Sequence, residues 1–135
     1  MTQQGPVTAS EWAQLETAYG RLVGGGRDVV LVQAEAILAI EAIAASIAAP
    51  GVTALNVVTG PYGALFGQWL RRGGAEVVDQ ITGFDEVVTV EAVEAAIRDR
   101  RPDVLSIVHA EAATGGTNPI AEIAAIAREH GILTV

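Results

Sequence analysis

The sequence contains no lysine; all eight of its basic residues are arginine. Without a side-chain amine, the chain cannot by itself carry out the imine chemistry that lysine-dependent enzymes perform on carbonyl groups. Cysteine is absent too, which removes any disulfide framework and any thiolate metal site. Aromatic residues make up only 4%, so alanine, valine and isoleucine must fill the core. Charged residues are also sparse at 18%, and the mean hydropathy is +0.38. Those values exclude disorder, which needs low hydrophobicity and high charge. Basic residues are outnumbered by 16 acidic ones, leaving a net charge of -8. Such a surface repels phosphate backbones, and no basic run or aromatic platform offsets it, so nucleic acid is not an expected partner. The most apolar stretch, residues 36–49, is interrupted by Glu41 and Ser46. It is shorter than the roughly 20 residues that span a bilayer, so no membrane segment is expected. The opening Met1-Thr2-Gln3-Gln4-Gly5-Pro6 has neither the positive nor the apolar part of a secretory signal. A cytoplasmic protein is the expectation.

What is present is 135 residues, half of them hydrophobic, enough for one core of useful size. Residues 1–9 read as a loose tail. Ser10 is placed to cap a helix in which Trp12, Leu15, Tyr19 and Leu22 recur at helical spacing, and Gly24-Gly25-Gly26 ends it. Residues 28–33 are valine-rich and read as a buried strand. Residues 34–49 form an Ala- and Ile-rich helix, apolar on most faces and stopped by Pro50-Gly51; such helices are usually buried on two sides. The alternation then repeats, with strands over 53–58, 75–81, 103–109 and 132–135. Between them lie helices over 62–72, from the Thr89 cap to Arg101, and from Asn118-Pro119 to His130, where Asn118 is the N-cap. Strands alternating with helices predict βαβ units and a largely parallel sheet. A terminal apolar strand with no helix after it suggests a fragment or a subunit completed by another chain. The division expected is residues 1–27 as tail and helix, and 28–135 as the first half of a larger domain.

In such sheets ligands bind beyond the carboxyl ends of the strands. That places Glu35, Ala36 and Ile37, the Thr59-Gly60-Pro61-Tyr62-Gly63 turn, Thr82-Gly83-Phe84 and the stretch from His109 to Thr117 at a candidate site. A helix starting near Ala36 offers backbone N–H groups to a phosphate, although the turn has no glycine for close approach. His109 has the chemistry of an acid or base; the plainer reading is a packed, hydrogen-bonded histidine. Glu111 is open to two readings, ligand contact or loop anchor. Tyr62 either stacks on a flat ligand ring or covers the core. His130, before Gly131 at a helix end, is structural. No cluster has metal-ligand spacing, and no Ser-His-Asp set is visible.

Several pieces in fixed order resemble one family. They are Ala39-Ile40-Glu41-Ala42, Thr59-Gly60-Pro61-Tyr62-Gly63, Gly74-Ala75-Glu76-Val77, His109-Ala110-Glu111-Ala112-Ala113-Thr114-Gly115, Asn118-Pro119-Ile120 and His130-Gly131-Ile132-Leu133. From Val29 to Val135 the chain resembles the first part of the large domain of class V pyridoxal-phosphate aminotransferases of the alanine–glyoxylate and serine–pyruvate type. The resemblance implies an α/β fold, a partial type I PLP-transferase large domain with a mostly parallel sheet and helices on both faces. It also implies pyridoxal 5'-phosphate as cofactor, with Tyr62 over the pyridine ring and Glu35, Ala36 and Ile37 at the phosphate. Ala112 falls where the family has a hydroxyl or amide for the ring oxygen. The family's pyridine-pairing aspartate and its lysine would lie beyond Val135.

Three functional readings follow. In the first, the chain is half of a split enzyme that transfers an amino group between an amino acid and a 2-oxo acid. A second polypeptide would then supply the aspartate and the lysine and share the cofactor. In the second, it is a degenerate, non-catalytic subunit of such a hetero-oligomer, a reading that Ala36, Ile37 and Ala112 favour. The third is a stand-alone flavodoxin-like binding module, which the bare terminal strand and the missing glycine loop oppose.

Overall fold

A computed structural model describes residues 5–25 and 28–135. Part of the expected tail and Gly26 of the expected glycine stop therefore lie outside the described residues. The chain divides into two units, Met1–Glu35 and Ala36–Val135.

In the first unit, helix α1 (Ala9–Leu22) is capped by Thr8 rather than by Ser10. Thr8 Oγ1 accepts from the Glu11 backbone N–H at 3.3 Å, while the Glu11 carboxylate accepts from the Thr8 N–H at 2.8 Å. The choice follows from spacing. A glutamate lies three residues after Thr8 and closes a reciprocal capping box, whereas Ala13 lies three after Ser10. Donation from the Thr8 N–H, and from the Thr8 hydroxyl at 2.7 Å, holds the Glu11 carboxyl below the usual carboxylate range. No residue of α1 is buried.

Residues 28–33 do not form the expected strand. Val30 and Val32 are exposed, and no strand among the described residues pairs with the segment. Valine-rich composition supplies propensity, but a strand exists only when a neighbour completes its hydrogen bonds.

The second unit starts with α2 (Ala36–Ile47) and continues as β1 (Thr53–Val58), α3 (Pro61–Arg72), β2 (Glu76–Ile81), α4 (Val90–Arg100), β3 (Val104–Ile107), α5 (Ile120–Glu129) and β4 (Leu133–Thr134). The four strands are all parallel and lie in the order β2-β1-β3-β4. Alternation along β1 sends its side chains to opposite faces. Leu55 and Val57 join Val93 and Ile97 of α4 and Ile123 and Ala127 of α5 in one core layer. Ala54 joins Ala44 of α2 and Phe66, Trp69 and Leu70 of α3 in the other. The sheet is thus covered on both faces, as the resemblance implied.

Helix α2 departs from its expected burial. Only Ala44 is fully enclosed, and Leu38, Ile40 and Ile43 are exposed. The helix packs inward through Ile37, Ala44 and Ile47, which leaves the opposite side of its apolar surface in the open within this unit. Helix α4 ends at Arg101, which takes a left-handed conformation (φ 47°) and donates its N–H to the Ile97 carbonyl at 2.8 Å. No helix among the described residues is long and apolar enough to cross a membrane.

Candidate functional site at the ends of β1 and β3

The crevice of an open α/β sheet opens where neighbouring strands send their chains to opposite faces. Here that point lies between β1 and β3, which are paired. The chain leaving β1 enters α3 on one face, and the chain leaving β3 enters α5 on the other. The residues at the mouth are therefore Thr59 to Tyr62 and His109 to Asn118.

Buried polar side chains join these two loops. Asn118 is 2% exposed. Its amide donates to the Thr59 hydroxyl at 3.0 Å and to the Val108 carbonyl at 2.7 Å. Its carbonyl accepts from the Val88 N–H at 3.1 Å. Asn118 therefore does not cap α5 as expected. Pro119 is the N-cap residue, with no side-chain cap bond. Three long-range partners outcompete one local N–H for a buried amide, because each group left unpaired there costs about 1–3 kcal/mol.

Glu111 is also enclosed, at 1% exposed. Its backbone anchors the tight loop, accepting from Gly115 N–H at 2.8 Å and donating to the Gly116 carbonyl at 2.9 Å. Gly115 supports the turn with φ 75°. In the side chain, Oε1 accepts from Ala113 N–H at 3.3 Å, while Oε2 is buried with no hydrogen-bond partner. The carboxyl lies against Gly60, where a Cβ would come within 2.5 Å of Glu111 Cγ. Glu111 is thus a loop anchor in the structure, and its contact lies on the other side of the crevice.

Tyr62 stands in the first turn of α3 and is about half exposed. It does not cover the core. The turn beneath it is pinned from below, because the Asn56 amide donates to the Gly63 carbonyl at 3.0 Å. A Cβ at Gly63 would meet the Val57 carbonyl at 2.9 Å, so α3 lies directly on β1. His109 lies just past β3 and is exposed in this chain. Ala112 is exposed beside Glu111.

Glu35 is exposed and closes the first unit. Ala36 and Ile37 open α2. The Ile37 side chain packs against the layer containing Phe66 and Leu70, so only backbone N–H groups remain there for an anion. Tyr62 thus follows the end of β1 and His109, Glu111 and Ala112 follow the end of β3, where the contact of Glu111 with Gly60 joins the two loops. Thr59 and Gly60 belong to the turn expected at the site; what sequence reasoning missed is that Asn118, expected as a helix cap, bonds Thr59 and that Glu111 fills the space over Gly60. Among the described residues no group of three His, Asp or Glu side chains is placed to hold a metal ion.

Residues 16–135 match the family described as Aminotransferase class-V. The chain belongs to the class-V aminotransferase family. Among curated relatives, it is 32% identical over 104 residues to the pyridoxamine–pyruvate transaminase of Mesorhizobium japonicum, covering 76% of this chain and 26% of that protein. Among solved structures, the alanine–glyoxylate aminotransferase of Nostoc sp. superposes with a TM-score of 0.87 at 26% identity, over 97% of this chain and 37% of that one. The pyridoxamine–pyruvate aminotransferase of Mesorhizobium loti gives 0.86 at 25% identity, over 92% and 32%. The chain thus spans about a quarter of the length of that curated relative and about a third of those structures. Membership of this family implies pyridoxal 5'-phosphate as the cofactor.

Proposed function

We propose that this chain forms the cofactor-facing first part of the large domain of a pyridoxal-phosphate-dependent class-V aminotransferase. A second polypeptide would complete it by supplying the pyridine-pairing aspartate and the lysine. The reaction is amino transfer between an amino acid and a 2-oxo acid. The observation that carries the aminotransferase reading is the family match over residues 16–135.

The residues present fit the cofactor in part. Tyr62 offers an exposed aromatic face at the lip of the crevice, suited to lie over a pyridine ring. The start of α2 at Ala36 offers backbone N–H groups and a favourable helix dipole for the phosphate. Ala36, Ile37 and Ala112 add no hydroxyl or amide there. Each such hydrogen bond forgone to a charged group weakens binding by about 1.5–3 kcal/mol. When bound, the cofactor supplies the electron sink for amino transfer. The work of this chain is to bind and orient it, with Tyr62 excluding water from one ring face. His109, exposed just past the end of β3, is a candidate acid or base in this reading.

A second reading, a non-catalytic subunit, is favoured by those same three apolar positions. One experiment separates the two. The chain is purified with the polypeptide that copurifies with it, and cofactor absorbance and amino transfer to pyruvate or glyoxylate are measured. The split-enzyme reading expects a coloured, active assembly, with Tyr62→Ala weakening cofactor binding about tenfold. A partner that holds the cofactor and works equally well without this chain supports the non-catalytic subunit. A colourless, inactive assembly ends the aminotransferase reading.

A further inference from the structure

We propose that Glu111 caps helix α3 from outside the helix and so fixes Tyr62 at the mouth of the crevice. The start of α3 has no cap of its own. Gly60, the N-cap residue, makes no side-chain bond, and Pro61 has no N–H. The amides of Tyr62 and Gly63 stand in the first turn, where no intrahelical acceptor is available. A local cap would leave from a Cβ at Gly60 and bring an oxygen over these N–H groups. That space is taken by the Glu111 carboxyl. Gly60 has φ 176°, extended backbone that any residue adopts, so what its glycine supplies is room.

The two deficits complement each other. Glu111 Oε2 is a buried acceptor without a donor, and the start of α3 is a set of donors without an acceptor. Leaving either group unpaired is costly, and a carboxylate is the charge that a helix N-terminus favours. Rotation about the soft terminal torsion of the glutamate turns contact into a bond in which Tyr62 or Gly63 N–H donates to Oε2. Glu111 is therefore a positioning residue that acts through Tyr62. The cap stands on geometry alone; its effect on a cofactor rests on the aminotransferase reading.

Amide hydrogen exchange on the 135-residue chain tests the cap. The Tyr62 or Gly63 amide is expected to exchange at least about tenfold more slowly than an unprotected amide. Glu111→Ala should abolish that protection, and Glu111→Gln, which keeps an acceptor oxygen, should retain most of it. Gly60→Ser should restore protection in the Glu111→Ala background, where the vacated space admits a local hydroxyl. Unprotected exchange at both amides in the unaltered chain overturns the cap and requires no variant to fold.

Fluorescence quenching of pyridoxamine 5'-phosphate by the assembly of this chain with the polypeptide that copurifies with it tests the positioning role. Glu111→Ala should raise the Kd about tenfold, with Glu111→Gln close to the parent. An equal Kd for parent and Glu111→Ala overturns the positioning role and leaves the aminotransferase reading standing. Absence of binding by the parent counts against that reading instead, and the exchange measurement still decides the cap.

Discussion

Ser106 donates its hydroxyl to the Asn56 carbonyl oxygen at 2.6 Å, joining two adjacent parallel strands through buried side chains. The bond continues a row set by strand register, because Asn56 lies opposite both Ser106 and Asp79. The Asn56 amide donates to Asp79 Oδ1 at 2.9 Å, and Asp79 accepts from Arg71 at 2.6 Å. A polar seam therefore crosses β3, β1 and β2 and reaches α3 at Gly63 and Arg71.

Removing its centre should be expensive. Asn56→Leu keeps the volume but strands the Ser106 hydroxyl, the Gly63 carbonyl and one Asp79 oxygen. The expected loss is at least about 3 kcal/mol, since three groups left unpaired cost about 1–3 kcal/mol each. Urea denaturation of parent and variant reads it directly. A loss under about 1 kcal/mol would mean that water replaces the amide in the seam.

Gly67→Ala gives a prediction of opposite sign to helix propensity. Inside an exposed helix the change should stabilise by about 1 kcal/mol. Here the new Cβ would lie 2.5 Å from Asn56 Nδ2 and 3.1 Å from Asp79 Oδ1. Displacing a buried amide outweighs the propensity gain, so a net loss of about 1–3 kcal/mol is expected. A raised melting temperature for Gly67→Ala would contradict the close packing of α3 on the seam.

Arg101→Gly should stabilise the fold. Arg101 holds a left-handed conformation that costs a side-chain-bearing residue about 1–2 kcal/mol and glycine little. Part of that gain is offset by the greater freedom of glycine in the unfolded chain. The net expectation is about 0.5–1 kcal/mol, visible as a higher midpoint in thermal unfolding. A lower midpoint would show that the Arg101 side chain stabilises the fold by more than the strain it imposes.

Acid should weaken the contact between the start of β1 and the turn before β3. Asp103 accepts from the Thr53 N–H at 2.8 Å and from its hydroxyl at 2.9 Å, and these bonds lower its carboxyl below the usual aspartate range. A depressed value in the folded state means that the stabilisation is complete above the unfolded value. It disappears as pH falls through the lowered one. Asp103→Asn should therefore be less stable than the parent near neutrality, with the gap closing under acid below the ordinary aspartate range. A gap that does not change with pH would rule out the charged form as the source.

The parallel sheet was legible in the sequence because its strands are short apolar runs separated by glycine and proline stops such as Pro50-Gly51 and Pro102. Local signals failed where a distant partner decides. Residues 28–33 have strand composition, yet no strand among the described residues pairs with them. Asn118 before Pro119 is a sound local cap signal, but Thr59, Val108 and Val88 claim its amide. The Thr8 cap was legible in principle, since Glu11 completes the spacing. The approach of Glu111 to Gly60 was not, because 51 residues separate them and only the β1–β3 pairing brings the loops together. The positions of Tyr62 after β1 and of His109, Glu111 and Ala112 after β3 were legible, because they depend on strand order along the chain and not on individual contacts.

The stitching of the two crevice loops bears on how this scaffold can be re-engineered. Asn118 grips Thr59 and Glu111 fills the hollow over Gly60, so the turn after β1 and the turn after β3 behave as a single cassette. Transplanting either one alone from a homologue would import half of a matched lock. Exchanging both together should carry ligand preference across with the underlying sheet undisturbed.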